Sequence, residues 1–142
     1  MNIIPFQPIH LELLMLQPGQ SYARQYFGQQ KYAETLMAGP AFTGMDGERV
    51  LFMAGVLPYW EGRAEAWALL SSGLTRHFVR IHRAVLRFLE ASDIRRIETA
   101  VDANFPEAII WAEKLGFKCE GLMPGYTPEG RDCLRYARVR GR

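Results

Sequence analysis

The sequence predicts an α/β chain (an α+β mixed sheet) with helices on both faces, in the order β-α-α-β-β-β-α-β-α-β-β. Three observations carry that reading. Ala41–Met45, Arg49–Leu57 and Arg63–Leu70 are apolar runs separated by Asp46-Gly47 and Glu61-Gly62, the turn signals of consecutive hairpins. Leu74, Phe78, Ile81, Val85 and Leu89 recur at steps of four, three, four and four, one apolar stripe along a helix over Thr75–Ala91. Finally, Phe105–Leu115 reads as a helix closed by Gly116 ahead of a strand.

The remaining elements follow in order. Ile3–Phe6 is short and β-like, and Ile9–Leu16 is a short helix stopped by Pro18-Gly19. Ser21–Ala38 is predicted as one helix ended by Gly39-Pro40. A strand over Ile94–Ala103 follows the Thr75 helix, whose length permits a crossover to a parallel neighbour. Phe117–Leu122 and Cys133–Val139 form a last hairpin around the long Pro124–Arg131 loop.

Composition narrows the class. At 142 residues, 49% hydrophobic and 23% charged, the chain suits one domain over residues 1–142 with a substantial core, and it does not resemble a disordered protein. A net charge of +2 does not by itself imply nucleic-acid binding. Cys119 and Cys133 have no C-x-x-C spacing and no histidine cluster, so no metal site is expected; they read as two buried thiols in a reducing compartment. No stretch approaches the ~20 apolar residues of a membrane span. Residues Met1–Leu16 lack the features of a signal peptide, and the expected location is cytoplasmic.

The element order, together with Ala108-Ile109-Ile110-Trp111-Ala112-Glu113-Lys114-Leu115-Gly116-Phe117 and Cys119-Glu120-Gly121, resembles the C-terminal half of the GCN5-related N-acetyltransferase superfamily. There a helix with the pattern A-I-x-L-Y-x-K-L-G-F leads into a strand bearing E-G. The motif covers about the last third of the chain, and the element order extends the likeness over nearly all of it. The small size and the W-A-E-K-L-G-F variant also resemble divergent acetyltransferase-like proteins of tailed bacteriophages, including internal virion proteins.

The resemblance implies acetyl-CoA as cofactor and an unidentified amine as acceptor. It places the cofactor between the Arg63–Leu70 and Ile94–Ala103 strands, where two parallel strands splay apart. Backbone groups of Leu70, Ser71 and Ser72 would hold the acyl carbonyl, and Ser72, Gly73, Leu74, Thr75 and Arg76 the phosphates at the helix N-terminus. The chain lacks the family's Gly-x-Gly in this loop, which also reads as shorter than usual, and Ser71 or Ser72 equally reads as the helix N-cap. Ala112 stands where the family often has a tyrosine general acid, and Phe105 where it often has a polar residue beside which Asn104 is the available substitute. Glu65 and Glu61 are the candidate bases for deprotonating the amine, or else solvated strand and turn residues. His10, His77 and His82 form no triad and read as surface or boundary residues.

Arg76, Arg80, Arg83 and Arg87 follow a four-three-four spacing opposite the apolar stripe, a basic ridge along the Thr75 helix. It reads either as a solvated face, as a clamp for CoA phosphates, or as a contact for nucleic acid or an acidic protein. Arg135, Arg138, Arg140 and Arg142 add charge at the end of the chain. On the non-catalytic alternative the protein is a virion or accessory component acting through such contacts. Exposed sheet edges permit a monomer or a homodimer.

Overall fold

The structure, a computed structural model, describes residues 1–141; Arg142 lies outside them. Its centre is a seven-stranded sheet in the order β1-β2-β3-β4-β5-β7-β6. The strands are β1 (Asn2–Pro5), β2 (Ala41–Asp46), β3 (Arg49–Trp60), β4 (Arg63–Leu70), β5 (Arg96–Asp102), β6 (Lys118–Met123) and β7 (Cys133–Val139). All neighbours are antiparallel except β4 and β5. The predicted meander and closing hairpin are both present, and β3 runs on past Leu57 to Trp60.

Residue alternation along the strands sends one set of side chains to each face. Ala64, Ala66, Ala68 and Leu70 of β4 join Ile97 and Val101 of β5 in a core beneath the helices α3 (Phe78–Ala91) and α4 (Pro106–Lys114). Trp67 and Leu69 point the other way, into a second core with the helices α1 (Ile9–Leu13) and α2 (Gln30–Leu36). Within α3, Ile81, Val85 and Leu89 are buried, as the stripe predicts.

Three local expectations are corrected. The predicted Ser21–Ala38 helix is two elements, a 3₁₀ helix over Pro18–Tyr26 and then α2, with Gly28 between them. Pro18 sits at the start of a helix, where its missing N–H costs nothing, instead of stopping one. Helix α3 begins at Phe78, three residues after Thr75, because Gly73 turns the chain at φ +68° and Leu74 is drawn into the core. Neither Ser71 nor Ser72 is therefore the N-cap; that position is His77.

The histidines and cysteines also differ from expectation. His77 and His10 are buried. The Nδ1 of His10 lies 2.7 Å from Thr43 Oγ1 and accepts the Gln7 N–H at 3.1 Å, and burial lowers its pKa. Cys133 is buried, its thiol pushed up by desolvation, but Cys119 is exposed, and both are free. They do not face each other across the β6–β7 pair: Cys119 faces Tyr136 and Cys133 faces Met123.

Gly116 ends α4 at φ +90°, with the Arg138 side chain 3.2 Å from where a Cβ would stand. Gly116→Ala is therefore expected to destabilise the protein by about 1–2 kcal/mol, readable as a lowered midpoint in urea unfolding.

Candidate functional site

β4 and β5 pair over only three positions, Arg63 with Arg96, Ala64 with Ile97 and Glu65 with Glu98. Beyond Glu65 the two strands part, and a cavity of about 380 Å³ opens between them. Small side chains make the room: Ala66 and Ala68 from β4, Ala100 from β5 and Ala108 and Ala112 from α4 all line it. Larger walls come from Phe78, Phe105 and Trp111. The Trp111 indole donates to His82 Nδ1 at 3.1 Å and meets the Phe78 ring edge-on, tying α4 to the first turn of α3.

The parting strands leave one edge of β4 without a strand partner, and its hydrogen bonds can be accounted for group by group. Thr99 Oγ1 donates to the Ala66 carbonyl at 3.1 Å, at the apex of the splay. The Gln20 side chain donates from Nε2 to the Ala68 carbonyl at 2.8 Å and accepts the Leu70 N–H at Oε1, at 3.0 Å. The Gln17 N–H donates to the Leu70 carbonyl at 3.0 Å. Of the three backbone donors expected to hold an acyl carbonyl, Ser71 N–H goes to Leu51 on β3 and Ser72 N–H to Met15. Only the Leu70 donor faces the cavity, and only it is held by a side chain.

Past β4, the chain from Ser71 to His77 forms the loop that precedes α3, three residues longer than the sequence suggested. Ser71 and Leu74 are buried; Gly73, Thr75 and Arg76 are exposed. Arg49 braces the loop, donating to the Ser72 carbonyl at 2.9 Å. The His77 ring is buried under the loop, its Nε2 3.6 Å from Asp46. Arg76, Arg80, Arg83 and Arg87 are all exposed and make no ion pair among the described residues.

Of the two candidate bases, Glu65 lines the cavity and Glu61 does not. Glu61 is exposed in the β3–β4 turn, at the end of β4 away from the splay. The Glu65 carboxylate accepts from Arg135 at 2.9 and 3.1 Å and from the Tyr59 hydroxyl at 2.7 Å. Beside it lies Glu98, nearly fully buried at the last paired position and bound by Arg63 and Arg96. These guanidinium groups, Arg63 above all, hold the Glu98 carboxyl down at about 2. Arg96 continues to Glu120 on β6, so an alternating chain of charges crosses the open face of the sheet.

Ala112 is buried in the first core and lines the cavity, so no hydroxyl enters from the position where the tyrosine was missed. Tyr136, on β7, donates to Glu113 at 3.0 Å and burial pushes it up to about 12. Asn104 is exposed in the β5–α4 turn, its N–H bonded to Asp102 Oδ1, while Phe105 takes the place at the cavity wall. A second cavity of about 340 Å³ lies between Tyr22, Tyr26 and Tyr32 and the Thr127–Arg131 loop. There the Arg131 guanidinium stacks 4.1 Å over the Tyr22 ring and pairs with Asp102 at 3.1 Å.

No family model matches the sequence, and no curated protein does. Solved structures do match. One assigned as a phosphinothricin N-acetyltransferase superposes at a TM-score of 0.78 with 16% identity over 97% of each chain. An aminoglycoside 6′-acetyltransferase type Ii gives 0.73 with 18% identity, over 98% of this chain and 97% of that one. An acetyltransferase of the GNAT family from Bacillus anthracis gives 0.71 with 15% identity, over 96% and 93%. The fold is that of the GCN5-related N-acetyltransferases. The likeness spans nearly the whole chain, including the segment from β1 to α2 that carries no recognisable motif.

Several residues lining this cavity are silent in the sequence. Gln17 and Gln20 sit in a segment that reads as a turn and a helix start. Thr99 sits mid-strand, and nothing in the sequence singles it out. The charged face was traceable in principle, since Arg63-x-Glu65 and Arg96-x-Glu98 repeat one period-two pattern on strands expected to be neighbours.

Proposed function

We propose that the chain, as one domain, is an acyl-CoA-dependent N-acyltransferase acting on an amine. The observation that supports this most is the unpaired edge of β4 along the cavity. It already binds a carboxamide, that of Gln20, through one N–H and one carbonyl. An acyl-CoA arm carries amide groups of the same kind, so the edge suits it. Leu70 N–H is the donor aimed into the cavity, and on this reading it polarises the thioester carbonyl. The exposed Ser72–Arg76 loop and the free N–H groups at the start of α3 receive the phosphates, with Arg76 supplying charge.

Glu65 is the better placed base. Its oxygens are already engaged by Arg135 and Tyr59, so it would relay the amine proton through a water. With alanine at position 112 no side chain there returns a proton to the departing thiolate, which suits a slow transferase. The acceptor would enter from the tyrosine-lined side, between the 3₁₀ helix and the Thr127–Arg131 loop. The two free thiols suit a reducing compartment such as the cytoplasm.

Isothermal titration with acetyl-CoA tests the reading. Binding is expected, and Arg76→Glu is expected to weaken it by about tenfold. Absence of both heat and thermal shift at millimolar acetyl-CoA would sink it. The exposed, unpaired arginines Arg80, Arg83 and Arg87 of α3, with Arg76 in the loop before it, favour a second reading, a non-catalytic phage virion or accessory protein in contact with nucleic acid or an acidic protein. Steeply salt-dependent binding to a DNA duplex, abolished by Arg80→Glu and Arg83→Glu and seen without acetyl-CoA binding, would favour it.

A further inference from the structure

The Gln20 carboxamide and a cofactor arm cannot use the β4 edge at the same time. The N–H of Leu70 and the carbonyl of Ala68 lie on one side of the strand and are both taken by one primary amide. That amide meets them as a peptide unit of an added strand would, donor to acceptor and acceptor to donor. Its pose is reinforced from behind, where Gln17 Nε2 donates to Gln20 Oε1 at 2.9 Å. The segment that carries it is seated from below. The Phe105 ring lies 2.6 Å from where a Cβ on Gly19 would stand, so a larger residue there would have to displace the ring from the β5–α4 corner. The backbone on either side is tied down as well, with Gln17 N–H bonded to Leu70, and Leu16 and Ser71 forming a bridge.

We propose that Gln20 is an internal latch on the acyl-CoA site, a carboxamide that occupies the Ala68–Leu70 edge until the cofactor arm displaces it. This rests on the acyltransferase reading and adds a regulatory residue to it. Every turnover then begins by exchanging two side-chain hydrogen bonds for two ligand hydrogen bonds. The apparent affinity for acyl-CoA is lowered by the fraction of molecules in which the latch is closed. Gln17 sets that fraction by holding the amide in register.

Titration of acetyl-CoA into the wild-type protein, Gln20→Ala and Gln17→Ala separates the possibilities. The latch predicts that Gln20→Ala binds about tenfold more tightly than wild type and Gln17→Ala by a smaller factor. It also predicts that the Leu70 amide, protected from hydrogen exchange in the unliganded wild type, loses protection in Gln20→Ala and regains it when acetyl-CoA is added. Gln20→Asn, too short to span both groups, should behave as the alanine variant does. Equal or weaker binding by Gln20→Ala overturns the latch while leaving the acyltransferase reading intact, since Gln20 would then be scaffold or ligand contact. If neither the wild type nor Gln20→Ala binds, both fall.

Discussion

Replacing Glu98 by glutamine is expected to lower the free energy of unfolding by about 3 kcal/mol, the low end of what breaking a buried ion pair costs. The carboxylate is almost fully buried and takes Arg63 and Arg96 together, with Arg135 at 3.6 Å. Glutamine keeps the shape but leaves three guanidinium groups facing one another without a counter-charge. The arginines remain about a third exposed or less, so water relieves part of the loss. Because Glu98 joins β4 to β5 at the last position before they part, the loss falls on the hinge of the cavity.

The same substitution has a pH signature. In the folded protein the Glu98 carboxyl is held at about 2, below its ordinary value of 4.5, so the folded state prefers it ionised. Its stabilising contribution is complete above about pH 4.5 and is lost as the pH falls toward 2. Urea midpoints measured across that window should fall more steeply for the wild type than for Glu98→Gln. Parallel curves would show that the charge network contributes nothing at this site.

Ala68→Phe is expected to reduce acetyl-CoA affinity by at least about a hundredfold. Ala68 lines the cavity in the part of β4 that has left its partner, and a benzyl group there fills the space the alanines keep open. Overpacking a closed core costs about 1–3 kcal/mol, but Ala68 adjoins an open cleft that can take the ring, so the cost here falls below that range. Circular dichroism and the thermal midpoint should thus remain close to wild type while the titration heat disappears. Retained affinity would place the cofactor outside the splay and remove the basis for the acyltransferase reading.

The basic ridge and the charged sheet face differ in what they do for the fold. The arginines of α3 hold nothing together, and their substitution should leave stability nearly unchanged. Arg63, Arg96 and Arg135 each neutralise a carboxylate, and Arg138 donates to the Leu115 and Leu89 carbonyls, so none of them can be treated as free surface. In the sequence the difference shows only as the glutamate two residues after Arg63 and after Arg96, which the α3 arginines lack.

What the sequence by itself determined were the elements whose information is local. Turn residues at Asp46-Gly47 and Glu61-Gly62 fixed the meander, the apolar stripe from Leu74 to Leu89 fixed α3, and Gly116 fixed the end of α4. With the Trp111–Phe117 motif these sufficed for the fold, because pattern and turn chemistry act over a few residues. Where Pro18 starts a 3₁₀ helix and where Thr75–His77 stays out of α3 depended on distant contacts, the burial of Leu74 and the seating of Gly19 on Phe105. The site was decided later still. The gap between β4 and β5, the Leu70 N–H on its edge and the glutamine that covers it exist only once five separate segments have met. The pairing of β4 with β5 stops at Glu65 and Glu98, and no turn signal or apolar period along the chain marks that point.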